Sequence, residues 1–526
     1  MSGTHALPWR FLHGSIQPEK LGRNDSTGRN IVAERNRIIE ASSLAIALLI
    51  AGCFVTQAGT AGSGDIIVTE DPVGKLGTTS TNSFNGGSTN GFFTPLGTNG
   101  RSCNTCHASD NAWTFSPDHA KQIARSNFRD PLFAPVDGSD CPPPLAPIPP
   151  QLPDARNSSM VLNYGVIREQ ISIPSGADYS LYAATNPKHC LIPPGSSAIS
   201  GDLLIFRRPL PATNLVFLSE VRWDGRETVQ PITTGPGLTN IGPLVVDLGS
   251  QANHASINHE QSQPVLGTQA LTDIIAFEQN LYTAQLTMNS FDLGHSAGPG
   301  FIANTLAPGF FAGQNDPLGA KFSSTVFTLY TAWEPDRDDR YQTGLTNLQK
   351  AIGEGEKIFN SRTFTIANVP GLNSAKSDPL YNPADPRANT PITGTCGTCH
   401  NTPNIGNHSK PLPLNIGVTS AVPLENNGGV IAGILDTVNL PVYTLKSAAG
   451  AMIRTTDPGR ALISGQWVDV GKTKIPGLRG LAARPPYFHN GSAKDLATVI
   501  AYLNARFNIG LTPQESLALM SFLLAL

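Results

Sequence analysis

Cys103-Asn104-Thr105-Cys106-His107 and Cys396-Gly397-Thr398-Cys399-His400 repeat one pattern, Cys-x-x-Cys-His, at two places in the chain. This is the spacing of covalent haem c attachment. The two cysteines tether a porphyrin through thioether bonds, and the histidine that follows at once is set beneath the iron as its proximal ligand. Two complete copies imply two covalently bound haems, with Cys103, Cys106, Cys396 and Cys399 as anchors and His107 and His400 as axial ligands. A zinc ribbon also uses two Cys-x-x-Cys pairs. It gives no reason for a histidine directly after each pair. Ribbon pairs also lie ~15–20 residues apart, whereas these are separated by the whole stretch from Cys106 to Cys396.

The surrounding composition suits such a protein. The 526 residues leave room for two or three domains of ~100–200 residues each. Charged residues make up 14%, against ~25% in ordinary globular chains. With 51 glycines and 43 prolines, long irregular loops are expected. Net charge is −3 and no basic run occurs, so nucleic acid is not an expected partner. Of the seven cysteines, four belong to the pentapeptides. Cys53 closes the apolar run Leu44-Ala45-Ile46-Ala47-Leu48-Leu49-Ile50-Ala51-Gly52-Cys53, which follows Arg35 and Arg37. That run is short for a membrane span and reads as a bacterial secretory signal, with Ile50-Ala51-Gly52-Cys53 as a lipoprotein box and Cys53 as the lipidated residue. Cleavage near Ala58 to Ala61, or an uncleaved anchor, are the other readings. Each places the protein in the periplasm, as a lipoprotein on the first. There the remaining pair, Cys141 and Cys190, is expected to form a disulfide.

The pentapeptides divide the chain. Residues 1–53 read as leader and 54–100, rich in Gly, Ser, Thr and Asn, as flexible lead-in. A haem domain at 101–325 and a second at 326–526 follow. Helical periodicity is clear over Ala270–Leu281, Leu348–Phe359 and Leu496–Arg506. Thr512-Pro513-Gln514-Glu515 opens a last helix, with Thr as N-cap and Pro at the first helical position. Strand signals are weak. The expected fold is mainly α, two tandem c-type cytochrome domains with long irregular loops.

Four segments resemble the bacterial di-haem cytochrome c peroxidase family, which includes the MauG-type enzymes. They are Arg101 to His107 with Trp113-Thr114; Arg207-Arg208-Pro209-Leu210-Pro211 leading to Trp223-Asp224-Gly225-Arg226-Glu227; Gly353 to Phe359; and Ile475 to Ala482 with Pro486-Tyr487-Phe488-His489-Asn490-Gly491. The resemblance implies that the N-terminal haem splits hydrogen peroxide. The C-terminal haem would take electrons from a small donor protein, a c-type cytochrome or a cupredoxin. Trp223 would lie between the haems, Arg226 would pair with propionates, and His489 would stand near a haem. The distal acid/base would fall on His259 or Glu260, with Gln251 steadying the peroxide. The family's axial methionine position falls on Leu503, beside Tyr502. Met452 is then the sixth-ligand candidate for the C-terminal haem, with Tyr502 and His408 as rivals and a five-coordinate iron as the further alternative. A calcium ion between the domains and a homodimer also follow from the resemblance. A MauG-like oxidant of a protein or organic substrate, and a di-haem electron carrier without catalysis, are the competing functions.

Overall fold

The structure is a computed structural model and describes residues 66–526 except 82–88, 143–151, 189, 191–201, 229–240, 264, 336–343, 423–424, 427–428 and 431–432. The segment expected to be a leader, with Cys53, lies outside the described residues. Strands are β1 (Ile66–Asp71), β2 (Gly74–Ser80), β3 (Ile167–Ser172), β4 (Tyr179–Thr185), β5 (Asp202–Arg207), β6 (Leu281–Met288), β7 (Phe291–Asp292), β8 (Phe364–Ile366), β9 (Ile392–Gly394), β10 (Glu425–Asn426), β11 (Gly429–Val430), β12 (Val442–Ser447) and β13 (Met452–Thr455). The longer helices are α1 (Pro117–Ser126), α2 (Ile241–Ala255), α3 (Thr268–Gln279), α4 (Asn347–Ser361), α5 (Leu496–Phe507) and α6 (Pro513–Leu524).

The molecule is 31% helix and 17% strand, which corrects the expectation of a mainly α fold: it is mixed α/β, with small antiparallel sheets ordered β1-β2-β6-β7, β13-β12-β4, β3-β5, β8-β9 and β10-β11. The reason is visible in β2, Gly74-Lys75-Leu76-Gly77-Thr78-Thr79-Ser80, whose last five residues are all buried. Its polar composition hides a core strand because the hydroxyls satisfy one another. Thr78 Oγ1 lies 2.8 Å from Thr283 Oγ1 on β6, Thr213 Oγ1 donates to Thr283 Oγ1 at 2.9 Å, and Trp113 Nε1 donates to Thr78 Oγ1 at 3.0 Å. Buried hydroxyls paired in this way carry no desolvation penalty, yet they show no apolar alternation to read. This hairpin also falls within the segment expected to be a flexible lead-in.

The helices follow their local signals. Thr512 accepts from Glu515 N–H while the Glu515 side chain returns to Thr512 N–H, a capping box with Pro513 at the first turn. Thr346 and Gln349 do the same for α4, and Asp495 caps α5 by accepting from Thr498 N–H. Helices α4 and α6 pack closely at Gly355, where a Cβ would stand 2.1 Å from the Ala518 carbonyl oxygen. Phe327, Tyr330, Phe359 and Phe522 fill the core beside them. Among the described residues no helix is long and apolar enough to cross a membrane.

The two halves are interlocked. Strand β4 pairs with β12, Leu181 opposite Leu445, and Tyr443 on β12 accepts from Leu204 N–H at 2.9 Å and donates to Leu204 O at 2.6 Å on β5. Met288, Leu293 and Ala297 from the first half share a core with α4, α5 and α6. The chain is therefore not a tandem of separable units.

Candidate functional site

Both pentapeptides fold in the same way. Cys103–Thr105 and Cys396–Thr398 each form a single 3-10 turn, with Ser102 and Thr395 as capping residues and Thr105 and Thr398 closing the box. The amide of His107 donates to Cys103 O and that of His400 to Cys396 O. None of the four cysteines is in a disulfide. Burial pushes the Cys106, Cys396 and Cys399 thiols up to about 12, so they are protonated rather than poised as thiolates. Each histidine hydrogen-bonds through Nδ1 to a carbonyl six residues on, His107 to Trp113 O at 2.9 Å and His400 to Gly406 O. A carbonyl only accepts, so Nδ1 carries the proton and Nε2 presents a lone pair. Burial reinforces this: it lowers His107 to about 4 and also lowers His400.

The first motif opens into a cavity that is partly open to solvent. Cys103, Cys106 and His107 line it, together with Trp223, Gln251, His259 and Glu260. Gln251 projects from α2. The chain then passes through a π-type turn, Ser256–Glu260, that delivers His259 and Glu260. Such turns insert a residue into the helical winding and recur at functional sites. His259 Nδ1 lies 2.5 Å from Asp137 Oδ2, and Asp137 is also paired with Arg101. Glu260 accepts from Leu96 N–H at 3.0 Å and stands 3.5 Å from Cys103 Sγ. Burial raises its carboxyl, and the Leu96 amide partly offsets that.

Positive charge gathers on the same cavity. Arg208, Lys474, Arg479 and Arg484 line it. Arg208 donates only to carbonyls, of Tyr164, Gly165, Phe115 and Arg484. Arg479 Nη2 and Arg484 Nε are buried without a hydrogen-bond partner. Burial lowers Arg208 to about 9, Arg479 and Arg484 to about 10, and Lys474 to about 8. The four buried cations donate to backbone carbonyls rather than to carboxylates, which makes a site that favours an anionic ligand.

Trp223 lines the cavity with its N–H donating to Arg208 O at 2.7 Å, its own carbonyl accepting from Lys474 N–H, and its ring 6.1 Å from that of His489. Beside it, Asp224 is fully buried and accepts from Arg207 and Arg226. Arg207 also pairs with Asp457, whose Oδ2 is 3.6 Å from His489 Nε2. Arg226 is thus held by Asp224 and Glu169, and it is Arg208 and Arg484 that line the cavity. Burial lowers His489 to about 4.

The second motif has a different setting. Asn401 Nδ2, Thr402 Oγ1, Asn407 Oδ1 and Ser409 Oγ are buried around it without hydrogen-bond partners. Met452 is not there: it lies on β13 with 57% of its surface exposed. His408 belongs to the loop that wraps His400 from behind, since Gly406 O takes the His400 Nδ1 proton and Ser409 N–H donates to Asn401. Tyr502 is buried with its hydroxyl donating to Ile416 O at 2.9 Å, and Leu503 is partly buried in the same apolar cluster. Met452 is thus carried away from this motif, whereas His408 stays beside it, with only its Nδ1 engaged, by Lys410. Cys141 and Cys190 are joined in a disulfide with Cα atoms 5.1 Å apart. Among the described residues no group of three or more His, Cys, Asp or Glu side chains gathers as a metal site, and the calcium expected from the resemblance is assigned no ligands. Glu278, buried on α3 and lining the cavity, was not singled out from sequence. It follows the apolar Phe277 at the end of an amphipathic helix, where an acid reads as surface. No family model matches the chain, and a search of the curated proteins returns no match.

Proposed function

We propose that the protein is an exported di-haem c-type oxidoreductase that reduces hydrogen peroxide with electrons from a small redox protein, a c-type cytochrome or a cupredoxin, at the periplasmic face of a membrane. The observation that carries this reading is the twice-built motif: two free thiols beside an imidazole whose Nδ1 proton is fixed on a carbonyl and whose Nε2 is left as a donor atom. That donor set fits a haem tethered by Cys103 and Cys106 and ligated by His107, and a second held by Cys396, Cys399 and His400. The four buried cations of the cavity would take its propionates, and the unpartnered polar atoms between Asn401 and Ser409 fit a second polar-edged group. When bound, the haems supply iron that can bind peroxide and pass single electrons.

The chain's own residues supply the rest. Gln251 offers an amide to orient a small oxygen ligand. His259 and Glu260 offer sites that accept or return a proton. Trp223 closes the cavity wall between the first motif and His489, where an indole would help electrons pass. The test is direct. Protein made with a cytochrome maturation system should carry two haems per chain by mass and by pyridine haemochrome, and one after Cys396→Ser with Cys399→Ser. Bound zinc without haem would refute the reading.

A further inference from the structure

Three carboxyls line the cavity. Glu169 pairs with Arg207 and Arg226, and Glu260 accepts from Leu96 N–H. Glu278 has neither kind of partner. It is 6% exposed, and its Oε2 is buried without a hydrogen bond. It occupies the last turn of α3 among Ile274, Ile275 and Phe277, at the helix end where the backbone dipole opposes a negative charge. Its charge and that of Glu260 both bear on the buried Cys103 thiol and raise it. An orphan carboxyl lining the same cavity as Cys103 and His107 is not explained by packing, for an apolar residue would fill that wall better.

We propose that Glu278 is a proton donor of the cavity, acting on the outer oxygen of a peroxide held beside the first motif. This rests on the peroxidase reading above. The carboxyl O–H bond breaks and an O–H bond forms on the outer oxygen as the O–O bond cleaves, and that oxygen leaves as water with the bonding electron pair. The oxygen left behind takes two electrons from the donor protein and a proton from solvent and departs as a second water. The carboxylate then recovers its proton from solvent. Burial, which pushes Glu278 up to about 8, keeps the proton in place at neutral pH. Glu260, fastened to the Leu96 amide, takes the inner oxygen's own proton and returns it to that oxygen as the second water forms, beside the one from solvent.

Glu278→Gln keeps the shape, so it is compared with wild type, Glu278→Asp and Glu260→Gln, all with haem counted first. Infrared spectra should show a protonated buried carboxyl in wild type and in Glu260→Gln that is missing from Glu278→Gln. Peroxide turnover should fall ~10²–10⁴-fold in Glu278→Gln with both haems retained, and Glu278→Asp should recover part of it. Wild-type turnover in fully loaded Glu278→Gln, or survival of the carboxyl band in it, overturns the proposal. A wild-type protein without haem refutes the reading beneath it, and the haem count tells the two failures apart.

Discussion

His259 and Glu260 reach the cavity already held, one by Asp137 and the other by the Leu96 amide. Such residues can move a proton without first reorganising. A His259→Ala, Glu260→Ala double variant should keep both haems and lose ~10²–10⁴-fold in peroxide turnover, measured by stopped flow. Trp223→Phe should leave the first encounter with peroxide intact and slow the reduction that follows. Asp457 belongs to stability instead. Burial alone would raise its carboxyl, but Arg207 outweighs that and holds it below the ordinary range; Asp224 is depressed for a like reason. The stability they lend is present above about pH 4 and is lost as pH falls through their lowered values. Asp457→Asn should cost about 3 kcal/mol at neutral pH, in denaturant titrations, and flatten the acid limb of the stability profile. At this scale the sequence was readable wherever a residue type is rare for any other use. The two pentapeptides, Trp223 and the Gln251 to Glu260 stretch were all singled out, and His107 and that stretch share one cavity. Met452 was reached by elimination among methionines, which says nothing of where a side chain points, and its strand carries it outward. Arg226 was singled out for the cavity, whereas Arg208 lies closer to its lining, because the Asp224 carboxylate claims the nearer guanidinium.

Among the elements, the packing of α4 on α6 depends on one missing side chain. Gly355→Ala would drive a Cβ to 2.1 Å from the Ala518 carbonyl, a contact that only separation of the helices relieves. About 1–3 kcal/mol of destabilisation is expected, seen as a lowered Tm with the haem count unchanged. The helices were largely legible because their ends are written locally. Thr346, Asp495 and Thr512 each accept from an amide three residues on, and that spacing shows in the sequence. The sheets were not. Strand β2 is paired with β6, and its buried threonines are satisfied by partners about two hundred residues away, so no local window shows why hydroxyls should sit in a core. Strands β8 to β11 are two or three residues long, too short for any period to register.

For the whole molecule, the Cys141–Cys190 bridge closes a loop of sequence separation 49 beside the first half's core. Loop entropy puts its contribution at about 4 kcal/mol. Urea titrations with and without reductant should differ by roughly that, with the haems untouched. The pairing of β4 with β12 predicts something different. Residues 101–325 expressed alone should show no cooperative unfolding, and adding 326–526 should restore it, because each segment holds strands the other needs. The same sheet bears on descent. A chain with two like motifs is easily pictured as beads that genomes shuffle, one unit fused to another. Here a recombination crossover near residue 325 would part β4 from its neighbour, so a viable exchange must carry Tyr179–Thr185 along with the C-terminal half. Inheritance is therefore expected to treat the chain as one indivisible unit, and the two halves to have drifted together rather than apart.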